Sequence, residues 1–289
     1  MHHCIIHYVD AYVQDTPFQA AVYMEWCDRG TLRNLINVYN GKRRAGLPDR
    51  IPESFIWHCF TGLADALGYL QTGKSHIAPA LATHDTSNWT SLVHRDIKPD
   101  NVFIRSRDSL GSTKPFYVLL SDFGLMAPEE KITDPQQMVS GFGQCGTPEF
   151  YAPELCFDPI PTLKQMNRQR RPHSPRSDVW AVAAVMFGMC QRDELAFLDK
   201  SRLPLRSQRA LGRAAKLTSL DITDVGFYSD YLARTIQWAG LSDHTSRPDG
   251  WQLTKEVAQL YSSFRSDPNW QEYVNDGQLP DWATKKATI

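Results

Sequence analysis

Neither sign of charge dominates this chain: 31 Lys and Arg stand against 32 Asp and Glu, for a net charge of -1. Nucleic-acid binding rests on a basic surface that neutralises phosphates, so nucleic acid is not expected as a partner. The basic runs that do occur, Lys42-Arg43-Arg44 and Arg168 to Arg171, read as solvated loop faces. Six cysteines, at positions 4, 27, 59, 145, 156 and 190, include no Cys-x-x-Cys pair and no short-spaced framework. Reduced thiols in an intracellular protein, of cytoplasm or nucleus, are the expectation. No signal peptide is expected, and no apolar run is long enough to cross a bilayer. The longest, Val179 to Met189, reads as a buried helix, so no membrane partner follows. What remains is ordinary: 42% hydrophobic and 22% charged residues over 289 positions, enough for one large core or two modest ones.

One loop concentrates the chemistry, Val93-His94-Arg95-Asp96-Ile97-Lys98-Pro99-Asp100-Asn101. Transfer of a γ-phosphoryl group needs an oriented hydroxyl, neutralised phosphate charge and well-placed metal ions, with little covalent help from the protein. Asp96 has the chemistry to accept the hydroxyl proton, Lys98 to sit against the γ-phosphate and Asn101 to ligate Mg2+. Asp122, opening Asp122-Phe123-Gly124, adds a carboxylate to the oxygen set that Mg2+ prefers. Ala152-Pro153-Glu154 closes the segment. Taken alone, His94-Arg95-Asp96 also reads as a polar turn whose carboxylate caps a backbone amide. Taken in order, the three blocks resemble the eukaryotic protein kinase signature. Small-molecule phosphotransferases that place Asp and Asn five residues apart generally lack the Ala-Pro-Glu block.

The resemblance implies ATP and Mg2+ as cofactors and protein Ser or Thr hydroxyls as substrates. It implies catalytic roles for Asp96, Lys98, Asn101 and Asp122, the last two as metal ligands. Met24 would guard the back pocket, Glu25-Trp26-Cys27 would be the hinge that grips adenine, Thr31 would lie near the ribose, and Phe103 would form the floor under adenine, although an ordinary core aromatic is an equal reading there. Gly146 to Glu154, with Lys98 two after Asp96, points to the Ser/Thr type, and the Thr147 hydroxyl would bridge Asp96 and Lys98. Arg95 beside Asp96 implies an activation segment ordered by phosphorylation, with Thr133 and Ser140 as candidates. Asp178 would tie down the catalytic-loop backbone, and Arg247 would pair with Glu154. Met24 to Cys27 followed by Gly30-Thr31-Leu32 leans towards NIMA-related kinases. The likeness runs from Ile5 to Phe264, is poor over Gln191 to Gly226, and leaves out the tail that holds Trp270, Tyr273 and Trp282.

Two parts of the kinase pattern do not occur among these residues. No Gly-rich loop and no Val-Ala-Ile-Lys strand, with its lysine for the α- and β-phosphates, stand ahead of the hinge. Gly141-Phe142-Gly143-Gln144-Cys145-Gly146 fits G-x-G-x-x-G only on paper, since it neither follows a strand nor opens a helix. The expected function is therefore a Ser/Thr protein kinase domain whose transfer is impaired in this stretch, the alternative being a pseudokinase-like binding scaffold.

The expected fold is α+β and protein-kinase-like, a mainly helical large lobe with a two-stranded remnant of the small lobe. Residues 1–265 would form the domain (1–27 small-lobe remnant and hinge, 28–265 large lobe), with 266–289 as a tail. Met1 to His7 reads as a strand-leading segment rather than a metal cluster, because no fourth ligand follows at a usual spacing. A hairpin is expected from Ile5 to Glu25, turning at Gln14 to Pro17, with the odd residues from Ile5 to Val13 on one face and Ile6, Tyr8 and Tyr12 on the other. A short helix should run from Gly30 to Val38, with a loop from Asn40 to Arg50. A longer helix should begin at Pro52 and end in a left-handed cap at Gly73. The stretch from Gly73 to Val93 reads as a surface insertion in which His76 and His84 are plain loop residues. Val102 to Ile104 and Phe116 to Leu120 read as strands joined through a turn at Gly111.

Overall fold

The computed structural model describes residues 2–45, 50–79, 85–107, 116–132, 145–155, 173–191, 228–269, 279–280 and 283. His84, Gly111, Thr133, Ser140, Arg168 to Arg171, Trp270, Tyr273 and Trp282 lie outside them, as does most of the Gly141 to Gly146 run and of the poorly matching stretch from Gln191 to Gly226.

The chain opens with a hairpin, β1 (Tyr8–Asp15) and β2 (Phe18–Met24), paired antiparallel with Asp15 opposite Phe18 and an irregularity between Tyr8 and Asp10. The expected hairpin is present, with its alternating residues on two faces. Both are open: Val9 and Val13 on one face, and Tyr8 and Tyr12 on the other, are all at least 47% exposed. Period-2 patterning needs a core to lie against, and among the described residues nothing covers either face.

Helix α1 (Leu32–Arg44) runs well beyond the expected end at Val38, through the glycine at position 41. Leu32, Leu35, Ile36 and Tyr39 are buried along one stripe, and this packing overrides the polar composition that had marked Asn40 onward as loop. Helix α2 (Glu53–Thr72) behaves as its periodicity demands, and Gly73 ends it at φ 71 with its N–H on Tyr69 O. A Cβ on Gly73 would lie 2.7 Å from the Trp89 ring, so the position needs glycine for both its backbone and its space. Gly73→Ala is expected to lower stability by about 1–2 kcal/mol, read as a shifted denaturation midpoint at unchanged m-value.

Trp89 also corrects the reading of the insertion. Its Nε1–H donates to Leu70 O at 3.0 Å, and its ring meets Tyr69 at 5.3 Å. At the insertion's start, Ser75 Oγ, His76 N–H and Ile77 N–H all donate to the buried carboxylate of Asp65 on α2, at 2.6, 2.7 and 3.3 Å. The His76 ring stands edge-on to Trp251, 6.0 Å between centroids. Both ends of this segment are thus fastened to the core.

Helix α4 (Pro175–Gln191) begins three residues before Asp178, and every residue from Val179 to Met189 is buried, as the apolar run predicts. It packs on α2 and on α5 (Asp230–Ala239), and α6 (Gly250–Ser266) packs on all three. Trp57 stacks on Tyr261 at 5.8 Å within this core. Glu53 accepts from Ser229 N–H at 2.7 Å and from Trp57 Nε1–H at 2.9 Å, joining α2 to the start of α5. Each fully buried large apolar side chain contributes about 1.5–3 kcal/mol, so this helical layer sets the stability of the fold.

Two small ladders lie against it. β4 (Val102–Ser106) and β5 (Phe116–Leu120) pair antiparallel with Val102 opposite Leu120. β3 (Leu92–Val93) pairs with β6 (Ala127–Pro128), just before a one-turn α3 (Glu129–Ile132). The chain ahead of the hairpin adds to β5 through Ile6 N–H to Leu120 O at 2.9 Å and Leu120 N–H to Cys4 O at 2.8 Å. The chain after the hairpin adds to β4 through Arg29 N–H to Ile104 O and Ile104 N–H to Gly30 O. This architecture is α+β, with short sheets and a helical bulk.

Candidate active site

The catalytic loop is shaped from below by one carboxylate. Asp178, buried in the first turn of α4, accepts from His94 N–H at 2.6 Å on one oxygen and Arg95 N–H at 3.0 Å on the other. Burial pushes its pKa up to about 7, against the two amides and the Arg95 charge that favour the ionised form. Arg95 takes φ 71, and its carbonyl oxygen then lies 2.2 Å from where a Cβ on Gly146 would stand. Only glycine fits at position 146, itself at φ 95.

His94 is fully buried, its Nε2–H donating to Ser121 O at 2.9 Å and its Nδ1 accepting from Asp96 N–H at 3.3 Å. Both ring nitrogens are thereby used by a neutral imidazole, which agrees with burial driving its pKa down. Phe123 lies against this ring at 4.9 Å. The first two residues of the Asp-Phe-Gly block are in this way set relative to the loop.

Around Asp96 the polar atoms form one chain. Lys98 Nζ donates to Asp96 Oδ2 at 2.9 Å and to Thr147 Oγ1 at 2.9 Å. Thr147 returns two donors to Asp96 Oδ1, its N–H at 2.8 Å and its hydroxyl at 2.7 Å, so the bridge read from the sequence is present. Asn101 Nδ2 donates to Asp96 O at 2.8 Å, and its Oδ1 has no hydrogen bond among the described residues. Ser121 N–H donates to Asn101 O at 2.9 Å, which continues the β4–β5 pairing by one step past Val102 and Leu120 and places Asp122 on the next residue. Asp122 is exposed at φ 63, and no hydrogen bond or ion pair engages its carboxylate among the described residues. Asn101 Oδ1 and the Asp122 carboxylate are oxygen donors of the kind Mg2+ takes.

The hinge residues are placed less uniformly. Glu25 turns its carboxylate away to the rear, where it accepts from His7 N–H at 2.8 Å and pairs with Arg105. Its backbone N–H is used by His7 O at 3.0 Å. No backbone hydrogen bond engages the Cys27 N–H among the described residues, which leaves that donor open to a heterocycle. Burial, with Asp28 beside it, pushes the Cys27 thiol up to about 11. Met24 is 41% exposed. Thr31 caps α1 reciprocally with Asn34, its hydroxyl donating at 2.9 Å, and bridges to Phe103, which is half-buried.

Sequence reasoning missed Asp28. Its carboxylate accepts from Ser106 N–H and from Ser106 Oγ, both at 2.7 Å, pinning the hinge to β4 across a gap no local pattern reveals. It also missed His173, which donates through Nε2–H to Cys145 O at 3.1 Å and stands edge-on to Tyr151. Burial first, and the Arg95 charge second, push its pKa from 6.5 down to about 4. Protonation therefore favours the unfolded chain. The stability is fully present above about pH 6.5 and is lost as pH falls towards 4, by up to about 3 kcal/mol. His173→Gln, which still carries a donor, is expected to flatten this part of the stability–pH curve; an equal slope in parent and variant would contradict the assignment.

The segment is closed by Glu154, whose two oxygens accept from Arg247 NH1 and NH2 at 2.8 and 3.0 Å.

Residues 1–217 match the family described as protein kinase domain. The chain belongs to that family. Among its relatives, the serine/threonine-protein kinase nekl-2 of Caenorhabditis elegans is 26% identical over 90% of this chain and 58% of its own length. The G2-specific protein kinase nim-1 of Neurospora crassa is 28% identical over 93% of this chain and 29% of its own, and the G2-specific protein kinase fin1 of Schizosaccharomyces pombe 30% identical over 85% and 29%. The chain thus spans less than two thirds of the length of each. The first of these is named as a serine/threonine kinase and the other two as G2-specific kinases, and this likeness runs the same way as the sequence's lean towards NIMA-related kinases. No helix among the described residues is long and apolar enough to cross a membrane, and Cys4, Cys27, Cys59, Cys145 and Cys190 form no disulfide.

Proposed function

We propose that this domain transfers the γ-phosphate of ATP to Ser and Thr hydroxyls of protein substrates inside the cell. Asp96 acts as the base, Lys98 neutralises the γ-phosphate, and Asn101 and Asp122 hold Mg2+. Adenine lies on the backbone edge of Glu25 to Cys27, with Met24 behind it, Phe103 beneath and Thr31 beside the ribose. The domain extends to about residue 265, and 266–289 form a tail. The observation that carries this reading is the hydrogen-bonded chain from Lys98 through Thr147 to Asp96, with Asn101 on the same carboxylate residue. It holds the base and the cation together while Asn101 Oδ1 and the Asp122 carboxylate stay uncommitted.

Residues 1–289 taken alone carry no Gly-rich roof and no small-lobe lysine, so their own transfer is impaired. A polypeptide in which both stand ahead of residue 2 is expected to label a generic protein substrate on serine and threonine, in a Mg2+-dependent way, and to lose the label with Asp122→Ala. A polypeptide so completed that transfers nothing would favour the binding-scaffold reading instead.

A further inference from the structure

We propose that His2, His3 and Cys4 form a site for a zinc-class transition-metal ion at the root of the β1–β2 hairpin. The sequence offers three candidate ligands in a row and no fourth at a usual spacing, which by itself favours a plain strand. The fold supplies the convergence. One ring nitrogen of each histidine and the Cys4 sulfur lie within 4.8 Å of one another. Tetrahedral zinc, bonded at about 2.0–2.3 Å, sets its ligand atoms roughly 3–4 Å apart, so shifts of about an ångström complete the geometry. Consecutive residues of a strand point to opposite faces; here the chain turns at His3 and Cys4 before Ile5 and Ile6 join β5, and so three successive side chains share one corner.

The surroundings match what a metal-bound histidine requires. His2 Nε2–H donates to Asp65 Oδ2 at 2.9 Å, the carboxylate support that fixes ring orientation and raises ligand basicity. Asp65 is itself anchored by Ser75, His76 and, from α6, Thr254. With Nε2 committed, Nδ1 is the nitrogen that faces the ion; its present partner is Cys4 N–H at 3.2 Å, a long bond that coordination would replace. His2 and His3 line a cleft of about 1040 Å³ together with His7, Glu25 and Tyr69, and half-buried His3 is the ligand an incoming ion meets first. A fourth position would be left for a water molecule, as in three-ligand zinc sites.

A thiolate with two imidazoles selects a softer ion than the oxygen pair of Asn101 and Asp122, so the two sites would not compete for Mg2+. Binding requires the Cys4 thiol to give up its proton, which passes to the buffer as the metal–sulfur bond forms. The ion would clamp the segment leading into β1 onto α2 through Asp65. This assignment does not depend on the phosphotransfer reading.

The test is a Co2+ titration of the tag-free 289-residue chain, followed by absorption spectroscopy. An intense near-ultraviolet sulfur-to-cobalt band that saturates at one equivalent and is displaced by Zn2+ is expected. Cys4→Ser should lose that band while keeping the parent's far-ultraviolet circular dichroism, and His3→Asn, at a half-buried position, should bind about tenfold or more weakly. No such band in the parent, or a band unchanged in both variants, would overturn the proposal. Should Cys4→Ser fail to fold, the parent titration and His3→Asn decide by the same criteria.

Discussion

Replacing Arg247 with alanine is expected to lower the unfolding free energy by about 3 to 5 kcal/mol, the range typical of breaking a buried ion pair by removing one member. The guanidinium is 0% exposed and every face of it is occupied. Two nitrogens grip the two oxygens of Glu154 at 2.8 and 3.0 Å. Nε donates to Leu241 O and NH1 also to Arg176 O, both at 2.9 Å, and the plane lies 5.1 Å from the Trp180 ring. Truncation would strand a nearly buried carboxylate and take a donor from the Leu241 carbonyl. Glu154→Gln keeps an acceptor and removes the charge, so its loss should be smaller. Denaturation of both variants against the parent gives the result directly; an Arg247→Ala chain that melts like the parent would show that the pair carries no stability. Because Glu154 closes the segment that begins with Thr147, the same variant should also loosen the contact between Thr147 and Asp96.

Much of this site was legible because its chemistry is local. Asp96, Lys98 and Asn101 lie within six residues, and their mutual bonds follow from one loop. Thr147 and Arg247 were reached only through the family resemblance, since nothing in the intervening chain fixes their approach. Helix α2 was legible from end to end, as its apolar period and Gly73 agree. Helix α1 was not, because Tyr39 and Ile36 bury a stripe that the polar residues around them conceal. The hairpin strands were legible and their burial was not: alternation marks a strand but does not supply the layer that covers it. The insertion after Gly73 looked like surface because it is rich in Ser, Thr and His. Its attachment depends on Asp65, a carboxylate in the middle of an apolar helix, and that oddity was the signal available in the sequence. Asp28 and Ser106 left no local trace, and their meeting depends on the hinge folding back along β4.

The largest kinetic effect is expected at Asp96. A positioned base contributes roughly a hundred- to ten-thousand-fold, while orientation and electrostatic clamping of the phosphates supply more. On the proposed reading, Asp96→Asn removes the base, and in any case it removes the carboxylate that holds both Lys98 Nζ and the Thr147 hydroxyl. In a polypeptide completed with a Gly-rich loop and a small-lobe lysine, this variant should therefore lose activity by at least the factor of the base alone. In residues 1–289 by themselves, the phosphates would remain hydrated and the ATP tail unclamped, and turnover should already be close to background, with weak nucleotide binding because the hinge contacts adenine from one side.

Radiolabelled phosphate transfer to a generic Ser/Thr protein substrate, run on residues 1–289, on the completed polypeptide and on the Asp96→Asn form of each, tests this account most directly. The expected result is robust labelling by the completed polypeptide alone, abolished by Asp96→Asn, with both 289-residue forms near background. Robust turnover by residues 1–289 that Asp96→Asn abolishes would contradict it, showing that these residues hold their phosphates without a roof.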